Sequence, residues 1–305
     1  MQILRKKPLS GRLSVPSLDI FEIRGIIHIT KVRNDMTEIT EKIMKAVRGA
    51  AEIILKAPEK CPDDRIHGKD GTFNYVTEYD VAVQRYLEKE LSAALPGAVF
   101  LAEEEGEDRQ AADNGYVFVI DPIDGTSNFI HGFRMSAVSV ALLHNGQAVS
   151  GVVYLPYQDE MFCARRGGGA YLNGRPIHVN SLQTQRSLTL FGTTPYMRDT
   201  MNGAVTELFR GLFMTSVDVR RCGAAAADLC FVACGRASAF CEMLLSPWDY
   251  AAGALIVTEA GGVVSRFDGS PLSYTEKCTV VAGNPEAYGQ VSGICKEIYN
   301  KYGVR

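Results

Sequence analysis

Residues 121–132 read D-P-I-D-G-T-S-N-F-I-H-G and combine residue types that bind metal ions. Asp121 ends an apolar stretch, and Pro122 prevents that stretch from continuing as an ordinary paired strand. The chain can then direct the carboxylates of Asp121 and Asp124 and the carbonyl of Ile123 towards one point. Hard oxygen ligands in a tight turn suit Mg²⁺ better than zinc or copper. The motif therefore predicts a magnesium site at the end of a strand.

The same motif continues with a turn that can bind phosphate. Gly125 and Thr126 open a predicted short helix, where free backbone N–H groups can donate to an anion. The hydroxyl groups of Thr126 and Ser127 add polar groups beside the metal ligands. A motif of this length is also consistent with a proline–glycine turn whose acids are merely solvated. Other segments must decide between these two readings.

Three further segments carry carboxylates at the ends of predicted elements. Glu103 and Glu104 follow the predicted strand A-V-F-L-A, at the sheet edge where catalytic groups usually lie. Asp249 lies where the helix of P-W-D-Y-A-A-G begins, and Asp80 lies in the first turn of the helix after N-Y-V-T. The structural alternatives are a solvated acidic loop, a helix N-cap for Asp249 and a helix-dipole partner for Asp80.

Periodicity predicts the elements that position these residues. Apolar residues at helical spacing predict a first helix from Met36 and a second from Thr77 or Glu78 to Leu95. Asn-Gly pairs at 145–146 and 173–174 predict hairpin turns in an antiparallel meander. The second half alternates predicted strands at 188–191, 239–243, 263–265 and 279–282 with predicted helices at 200–213, 223–234, 248–259 and 285–302. Such alternation is typical of a layered α/β unit.

Composition restricts the class of protein. The net charge of −3 gives no electrostatic reason to expect nucleic acid or an anionic membrane as a partner. It also means that an anionic substrate needs a local positive charge, for which bound cations are the obvious source. No apolar run approaches the length of a transmembrane helix, and the eight cysteines form no CxxC pair. We therefore expect a cytoplasmic protein with reduced thiols.

Three parts of the chain differ in character. Residues 1–35 begin with a basic segment without an apolar core, and we expect a leader or an extension that lies outside the fold. Residues 36–183 form an N-terminal α+β half with Glu103 and the D-P-I-D-G-T-S motif. Residues 184–305 form a C-terminal α/β half with the W-D-Y-A-A-G motif. We expect the two halves to share one body, with a cleft between them.

The four acidic segments resemble those of the inositol monophosphatase family, within the wider Mg²⁺-dependent, lithium-sensitive phosphatase superfamily. The resemblance covers roughly residues 36–303, and D-P-I-D-G-T-S-N-F-I-H-G together with W-D-Y-A-A-G is a specific pair of motifs. It implies a layered αβαβα sandwich of the inositol monophosphatase and fructose-1,6-bisphosphatase type, and a homodimer. The segment L-A-E-E-E-G-E-D lacks the Gly that often precedes the first Glu, which leaves the ligand register open between Glu103 and Glu104.

The resemblance implies two or three Mg²⁺ ions per subunit. Asp121 would bridge the first two ions, and Glu104 would contribute with Glu103 to a third, weaker site. A water activated at the first ion would attack the phosphorus, and the second ion would stabilise the leaving oxygen. The implied ligands are Glu103, Glu104, Asp121, the carbonyl of Ile123, Asp124 and Asp249.

The resemblance also implies the groups that bind substrate and orient water. Thr126 would orient the attacking water while Asp80 holds the Thr126 proton, so that these two residues and Glu103 form the catalytic set. Glu242, on a predicted strand, would accept substrate hydroxyl groups, although a solvated strand-end acid is the alternative. The implied contacts to substrate come from Gly125, Thr126, Ser127, Ala225, Glu242 and Asp249. Lys69 would lie on a loop that covers the site.

The function implied is hydrolysis of a small phosphate monoester of a polyol or sugar, with myo-inositol 1-phosphate as the expected substrate. Alternatives with the same chemistry are fructose 1,6-bisphosphate, a nucleotide 3′-phosphate such as PAP, and histidinol phosphate. A non-catalytic binding module on the same fold is a rival from another class. Arg220 and Arg221 could lie near an anionic substrate, at a subunit contact or in solvent.

Overall fold

The computed structural model describes residues 20–69, 74–104 and 115–303, with side chains from residue 36 onwards. Residues 1–35 and residues 36–305 are separate units, and the second unit is compact. Residues 1–19 of the expected leader lie outside the described residues. The first helix begins at Ile20, upstream of the predicted start at Met36. No proline occurs between Pro16 and Pro58 to interrupt it, although the apolar pattern alone indicated a later start.

After an initial helical region, the chain contains helices and strands, with a run of successive strands in its middle part and alternating helices and strands in its second half. The helices are α1 (Ile20–Leu55), α2 (Glu78–Ala94), α3 (Thr126–Ile130), α4 (Arg198–Thr215), α5 (Ala225–Ala233), α6 (Pro247–Glu259) and α7 (Pro285–Tyr302). The strands are β1 (Ile66–Gly68), β2 (Tyr75–Thr77), β3 (Val99–Ala102), β4 (Tyr116–Asp124), β5 (Ala137–His144), β6 (Gln147–Leu155), β7 (Glu160–Arg165), β8 (Gly169–Leu172), β9 (Arg175–Ile177), β10 (Leu188–Phe191), β11 (Asp218–Arg220), β12 (Ala239–Leu245), β13 (Val263–Ser265) and β14 (Cys278–Gly283).

The larger sheet has seven strands in the order β3-β4-β5-β6-β7-β8-β9. β3 runs parallel to β4, and every later neighbour is antiparallel. Asn145 and Gly146 both have positive φ, at 50° and 71°, which matches the hairpin turn predicted there. The predicted meander is therefore confirmed.

The smaller sheet has five strands in the order β11-β10-β12-β14-β13, and β1 with β2 forms a separate hairpin. β11, β10 and β12 are parallel, whereas β14 is antiparallel to both β12 and β13. The carboxyl ends of β10 and β12 therefore lie at the same edge, which positions Gly192 beside Glu242.

Five layers follow from how the helices pack. α1 and α2 cover one face of the larger sheet, α5 and α6 lie between the two sheets, and α4 and α7 cover the outer face of the smaller one. A Cβ on Gly151 of β6 would lie 2.8 Å from the carbonyl oxygen of Ala252, so α6 approaches the larger sheet closely there. The layered αβαβα sandwich expected from the sequence is confirmed.

Two further features of the described residues concern membrane and thiol chemistry. Within residues 20–69, 74–104 and 115–303, no helix combines the length and apolar character needed to cross a bilayer. All eight cysteines lie in these ranges and carry free thiols, as expected.

Candidate active site

A cleft of about 700 Å³ lies where β3, β4, β10 and β12 end and α3, α5 and α6 begin. Its volume is in the range of pockets that bind small molecules. Helix N-termini carry a partial positive charge, which favours an anion in such a cleft. The predicted site residues that line it are Glu103, Glu104, Asp124, Gly125, Thr126, Ser127, Ala225, Glu242 and Asp249, together with Lys69.

Asp121 lies on β4 where the pairing with β5 becomes irregular. The register shifts between Asp121 and Asp124, so Pro122 interrupts the ladder as predicted. Oδ1 of Asp121 is buried and has no hydrogen-bond partner among the described residues. Burial raises the pKa of Asp121 well above its usual range, and the neighbouring charge of Glu103 raises it further. A buried, unpartnered carboxylate oxygen among other acids is suited to a cation.

Asp124 connects β4 to the start of α5. Its Oδ1 accepts a hydrogen bond from the Ala225 N–H at 3.0 Å, and its Oδ2 accepts one from the Ala226 N–H at 2.8 Å. The residue before the helix is Ala224, which has no side-chain group to cap it, so Asp124 supplies the cap. Burial raises the pKa of Asp124 to about 7, although these hydrogen bonds oppose the shift. A substrate contact through the Ala225 N–H would therefore compete with Asp124.

Asp249 stabilises the start of α6 and faces the cleft with the same side chain. Its Oδ2 accepts a hydrogen bond from the Ser246 N–H at 2.7 Å in a capping box, and Pro247 occupies the first helical turn. Burial raises the pKa of Asp249 well above its usual range, and Glu103 and Asp124 raise it further. The capping role considered from the sequence is therefore real, and it coexists with a position in the cleft.

Glu103 and Glu104 both bind the ammonium group of Lys69. The distances from Lys69 Nζ are 2.7 Å to Glu103 Oε1 and 2.6 Å to Glu104 Oε1. Burial opposes the ammonium charge, but the two glutamates together raise the pKa of Lys69 above its ordinary value. Glu103 is the glutamate whose charge raises the pKa of the cleft aspartates, whereas the Glu104 N–H donates to Gln84 Oε1. Both glutamates line the cleft, and the register that the sequence left open stays a prediction.

Asp80 and Thr126 lie in contact, as the resemblance implied. Thr126 Oγ1 lies 3.3 Å from Asp80 Oδ1 and 3.1 Å from the carbonyl oxygen of Ile123, and it can donate to either. Asp80 Oδ2 accepts from the Thr77 N–H in the capping box of α2. Burial raises the pKa of Asp80 to about 6. The helix-capping role and the contact with Thr126 therefore belong to different oxygens of one carboxylate.

The turn before α3 requires glycine. Gly125 has φ of 87°, and a Cβ there would lie 2.9 Å from the carbonyl oxygen of Met135. Asn128 Nδ2 donates to the carbonyls of Met135 at 2.7 Å and Cys222 at 2.8 Å, which ties this turn to the segment before α5. Sequence reasoning did not identify Asn128, because its partners lie far along the chain.

Glu242 lines the cleft and is only 7% exposed, so it is not a solvated acid. Burial raises the pKa of Glu242 well above its usual range, with Asp249 and Asp228 adding to the shift. Of the adjacent arginines, Arg221 lines the cleft and donates to Thr193 Oγ1 at 2.8 Å.

The other arginine, Arg220, is exposed and paired with Asp218. The sequence could not separate these two adjacent residues, because only the fold determines which of them faces the cleft.

The fit of this site to Mg²⁺ depends on the donor set. Within the described residues, no three His, Cys, Asp or Glu side chains are already arranged around one point for a metal ion. The cleft nevertheless gathers hard carboxylate oxygens of Glu103, Asp124 and Asp249, and the unpartnered oxygen of Asp121 is buried near them. Burial raises the pKa values of Asp121 and Asp249, and the neighbouring negative charges raise them further. Oxygen donors with surplus negative charge fit Mg²⁺ and do not fit a soft metal.

The match to a family of phosphatases, together with the fold and the acidic cleft, supports phosphatase as the class of this protein. It belongs to the inositol monophosphatase family, whose sequence pattern matches residues 35–300. It is 39% identical to a Nus factor SuhB of Pseudomonas aeruginosa over 248 residues, which cover 80% of this chain and 91% of that protein. It is 40% identical to an inositol-1-monophosphatase of Mesorhizobium japonicum, over 70% of this chain and 80% of that protein.

A solved structure agrees with the fold. The extragenic suppressor protein suhB from Bartonella henselae superposes with a TM-score of 0.76 and is 32% identical, and the match covers 85% of this chain and 98% of that one. The similarity therefore extends over both sheets and all the layers that position the cleft.

Proposed function

We propose that the protein is a Mg²⁺-dependent phosphate-monoester hydrolase whose preferred substrate is myo-inositol 1-phosphate. The observation that carries the proposal is the buried Asp121 oxygen without a partner, near Asp124 and Asp249, which line the cleft. Burial raises the pKa of Asp121, and the charges of Glu103, Asp124 and Asp249 raise it further, so the charged carboxylate destabilises the fold unless a cation binds it. We also propose that the protein acts as a homodimer in the cytoplasm and is inhibited by lithium.

Oxygen atoms of Glu103, Asp121, Asp124 and Asp249 and the carbonyl of Ile123 would hold two ions, with Glu104 contributing to a third. When bound, Mg²⁺ would supply Lewis-acid stabilisation of the charge that develops on the attacking and leaving oxygens. The chain's own contribution is to fix the carboxylates of Asp124 and Asp249 by the hydrogen bonds that cap α5 and α6. A carboxylate whose orientation is already fixed by hydrogen bonds needs little reorganisation during the reaction.

Thr126 and Asp80 would orient the attacking water. The Thr126 hydroxyl donates its proton towards Asp80 Oδ1 or the Ile123 carbonyl, so its lone pairs are free to accept a hydrogen bond from water. Asp80 is held in turn by the Thr77 N–H, which fixes the direction of its other oxygen. The N–H groups of Gly125 and Thr126 at the start of α3 would bind the phosphate.

Glu242 supports a polyol as the leaving group. Its carboxyl group lines the cleft, where it can accept hydrogen bonds from two neighbouring hydroxyl groups. A second phosphate at this position would face the carboxyl groups of Glu242 and Asp249, with Arg221 as a compensating charge. This charge balance favours a monophosphate over fructose 1,6-bisphosphate.

The test is phosphate release from myo-inositol 1-phosphate with and without Mg²⁺, compared with fructose 1,6-bisphosphate, PAP and histidinol phosphate. We expect the inositol ester to have the highest kcat/KM and each rate to require Mg²⁺. A higher kcat/KM on another ester would change the substrate and leave the chemistry intact. No release from any of the four would contradict the proposed function.

A second candidate function is that of the relatives named Nus factor SuhB. The observation that favours it is the 39% identity to the Pseudomonas aeruginosa protein over most of both chains. The two roles separate in a complementation experiment with wild type and Asp121→Asn in cells that lack that relative. Rescue by both forms would show that the role of the relative does not require hydrolysis by this chain. Rescue by wild type alone would show that this role depends on phosphatase activity.

A further inference from the structure

Gly192 follows β10 directly and lies against the strand that carries Glu242. Its N–H donates to the carbonyl of Cys241 at 3.0 Å, which extends the parallel pairing of β10 with β12 by one residue. The next residue on β12 is Glu242, whose side chain crosses the face of Gly192 on its way to the cleft. Gly192 itself lines the cleft.

The space that Glu242 occupies is the space that a side chain at position 192 would need. A Cβ built on Gly192 would overlap the carboxyl group of Glu242 and lie 2.9 Å from the Glu242 Cβ. Gly192 is not among the glycines with positive φ, so its backbone conformation does not require glycine. The requirement is therefore for space and not for backbone freedom.

Packing, and not hydrogen bonding, sets the position of the Glu242 carboxyl group. No side chain or N–H group of residues 36–69, 74–104 and 115–303 donates a hydrogen bond to it, whereas Asp80, Asp124 and Asp249 are each fixed by such bonds. The bare Cα of Gly192 leaves the slot that this side chain fills. A group held in this way moves when its slot changes shape.

We infer that Gly192 is a specificity-determining positioning residue, which keeps Glu242 withdrawn at the depth where it accepts hydroxyl groups of the leaving alcohol. The inference rests on the proposed function, because it assigns Gly192 a role in that same site. A methyl group at position 192 would push the carboxyl group into the volume that the substrate ring needs. Selection of polyol phosphates would then be lost without damage to the groups that surround the phosphorus.

The experiment compares wild type, Gly192→Ala, Glu242→Ala, the double variant and Gly293→Ala with myo-inositol 1-phosphate and with p-nitrophenyl phosphate. Gly293→Ala is the matched control, because a Cβ on Gly293 in α7 has nothing within 4 Å. For Gly192→Ala we expect kcat/KM on the inositol ester to fall by about tenfold or more, mainly through KM, since hydrogen bonds to a charged group are lost. On p-nitrophenyl phosphate, which has no vicinal hydroxyl groups, we expect less than about a threefold change.

In the Glu242→Ala background, the methyl group at position 192 no longer meets a carboxyl group, so the double variant should be little worse than Glu242→Ala alone. Wild-type kinetics in Gly192→Ala, or equal losses on both esters, would overturn the inference while leaving the proposed function standing. Fully additive losses would overturn it as well. If wild type released phosphate from neither ester, the proposed function would fail and this inference with it.

Discussion

Asp80 and Thr126 are joined by a contact of 3.3 Å between Oδ1 and Oγ1, across 46 residues of sequence. The other oxygen of Asp80 caps α2 through the Thr77 N–H at 2.7 Å. One buried carboxylate therefore stabilises a helix and fixes a hydroxyl group in the cleft. Because the capping bond limits its rotation, the direction of the Asp80 oxygen towards Thr126 is determined by the fold.

This contact predicts that the two residues act as a unit. Thr126→Ala should lower kcat by roughly 10²–10⁴-fold with a smaller change in KM, because orienting water matters in the transition state. Asp80→Asn should cause a similar loss, and the double variant should be little worse than either single one. Steady-state kinetics measures all three, with the exposed Thr200→Ala as control. Additive losses would show that the two residues act separately.

The position of Glu242 predicts an effect on selectivity. Glu242→Gln should lower kcat/KM for myo-inositol 1-phosphate by about tenfold or more, because charge-assisted hydrogen bonds contribute roughly 1.5–3 kcal/mol. Hydrolysis of p-nitrophenyl phosphate should change much less. Kinetics on both esters provides the test, and the half-buried Glu259 is unsuitable as control because it accepts hydrogen bonds from the Gly167 and Gly169 N–H groups. The exposed Glu286 supplies the control, and equal losses on both esters would contradict the assignment.

The buried carboxyl group of Asp228 should make the free energy of unfolding fall as pH rises. Burial raises its pKa from 3.8 to about 7, so the folded chain retains a proton that the unfolded chain releases. The contribution of this proton to the free energy of unfolding is complete below pH 3.8 and is lost as pH rises through about 7. Urea denaturation in EDTA should show that, from pH 5 to 7, wild type loses about 2 to 3 kcal/mol more than Asp228→Asn. Parallel pH profiles for the two proteins would rule out this linkage.

Lys69 predicts a change in the Mg²⁺ requirement. Its ammonium group lies 2.7 Å from Glu103 Oε1 and would therefore compete with Mg²⁺ for that carboxylate. Lys69→Met keeps the aliphatic stem and removes the charge, so half-maximal activity should need less Mg²⁺. Titration of activity with Mg²⁺ measures this, with the exposed Lys56→Met as control. A higher Mg²⁺ requirement in the variant would show that Lys69 helps to assemble the metal site.

The local part of the site could be predicted from the sequence, because short motifs fix short geometries. The bulge after Asp121 follows from Pro122, and α7 (Pro285–Tyr302) was predicted in full from its initial proline and apolar periodicity. β1, β2 and β11 were not predicted. Each has only three residues, and its strand conformation depends on a partner and not on its own pattern.

The parts that could not be predicted depend on contacts between distant segments. The importance of Gly192 appears only when β10 lies beside β12, and that of Asn128 only when its turn meets the segment before α5. The ion pairs of Lys69 with Glu103 and Glu104 likewise appear only when the loop that carries Lys69 meets the end of β3. Adjacent residues in a sequence can face opposite sides of a loop, and only the assembled fold decides between them.

We predict that Asp121 binds a cation and does not stabilise the fold. Asp121→Asn keeps the shape of the side chain and removes its buried charge, so the variant should be at least as stable as wild type in EDTA. The decisive measurement is phosphate release from myo-inositol 1-phosphate at saturating Mg²⁺ by purified, folded Asp121→Asn, with the exposed Asp64→Asn as control. We predict a loss of about 10³-fold or more in kcat, because the variant would lack a ligand that both ions share. Retention of more than about a tenth of the wild-type kcat would contradict the role of Asp121 as a metal ligand.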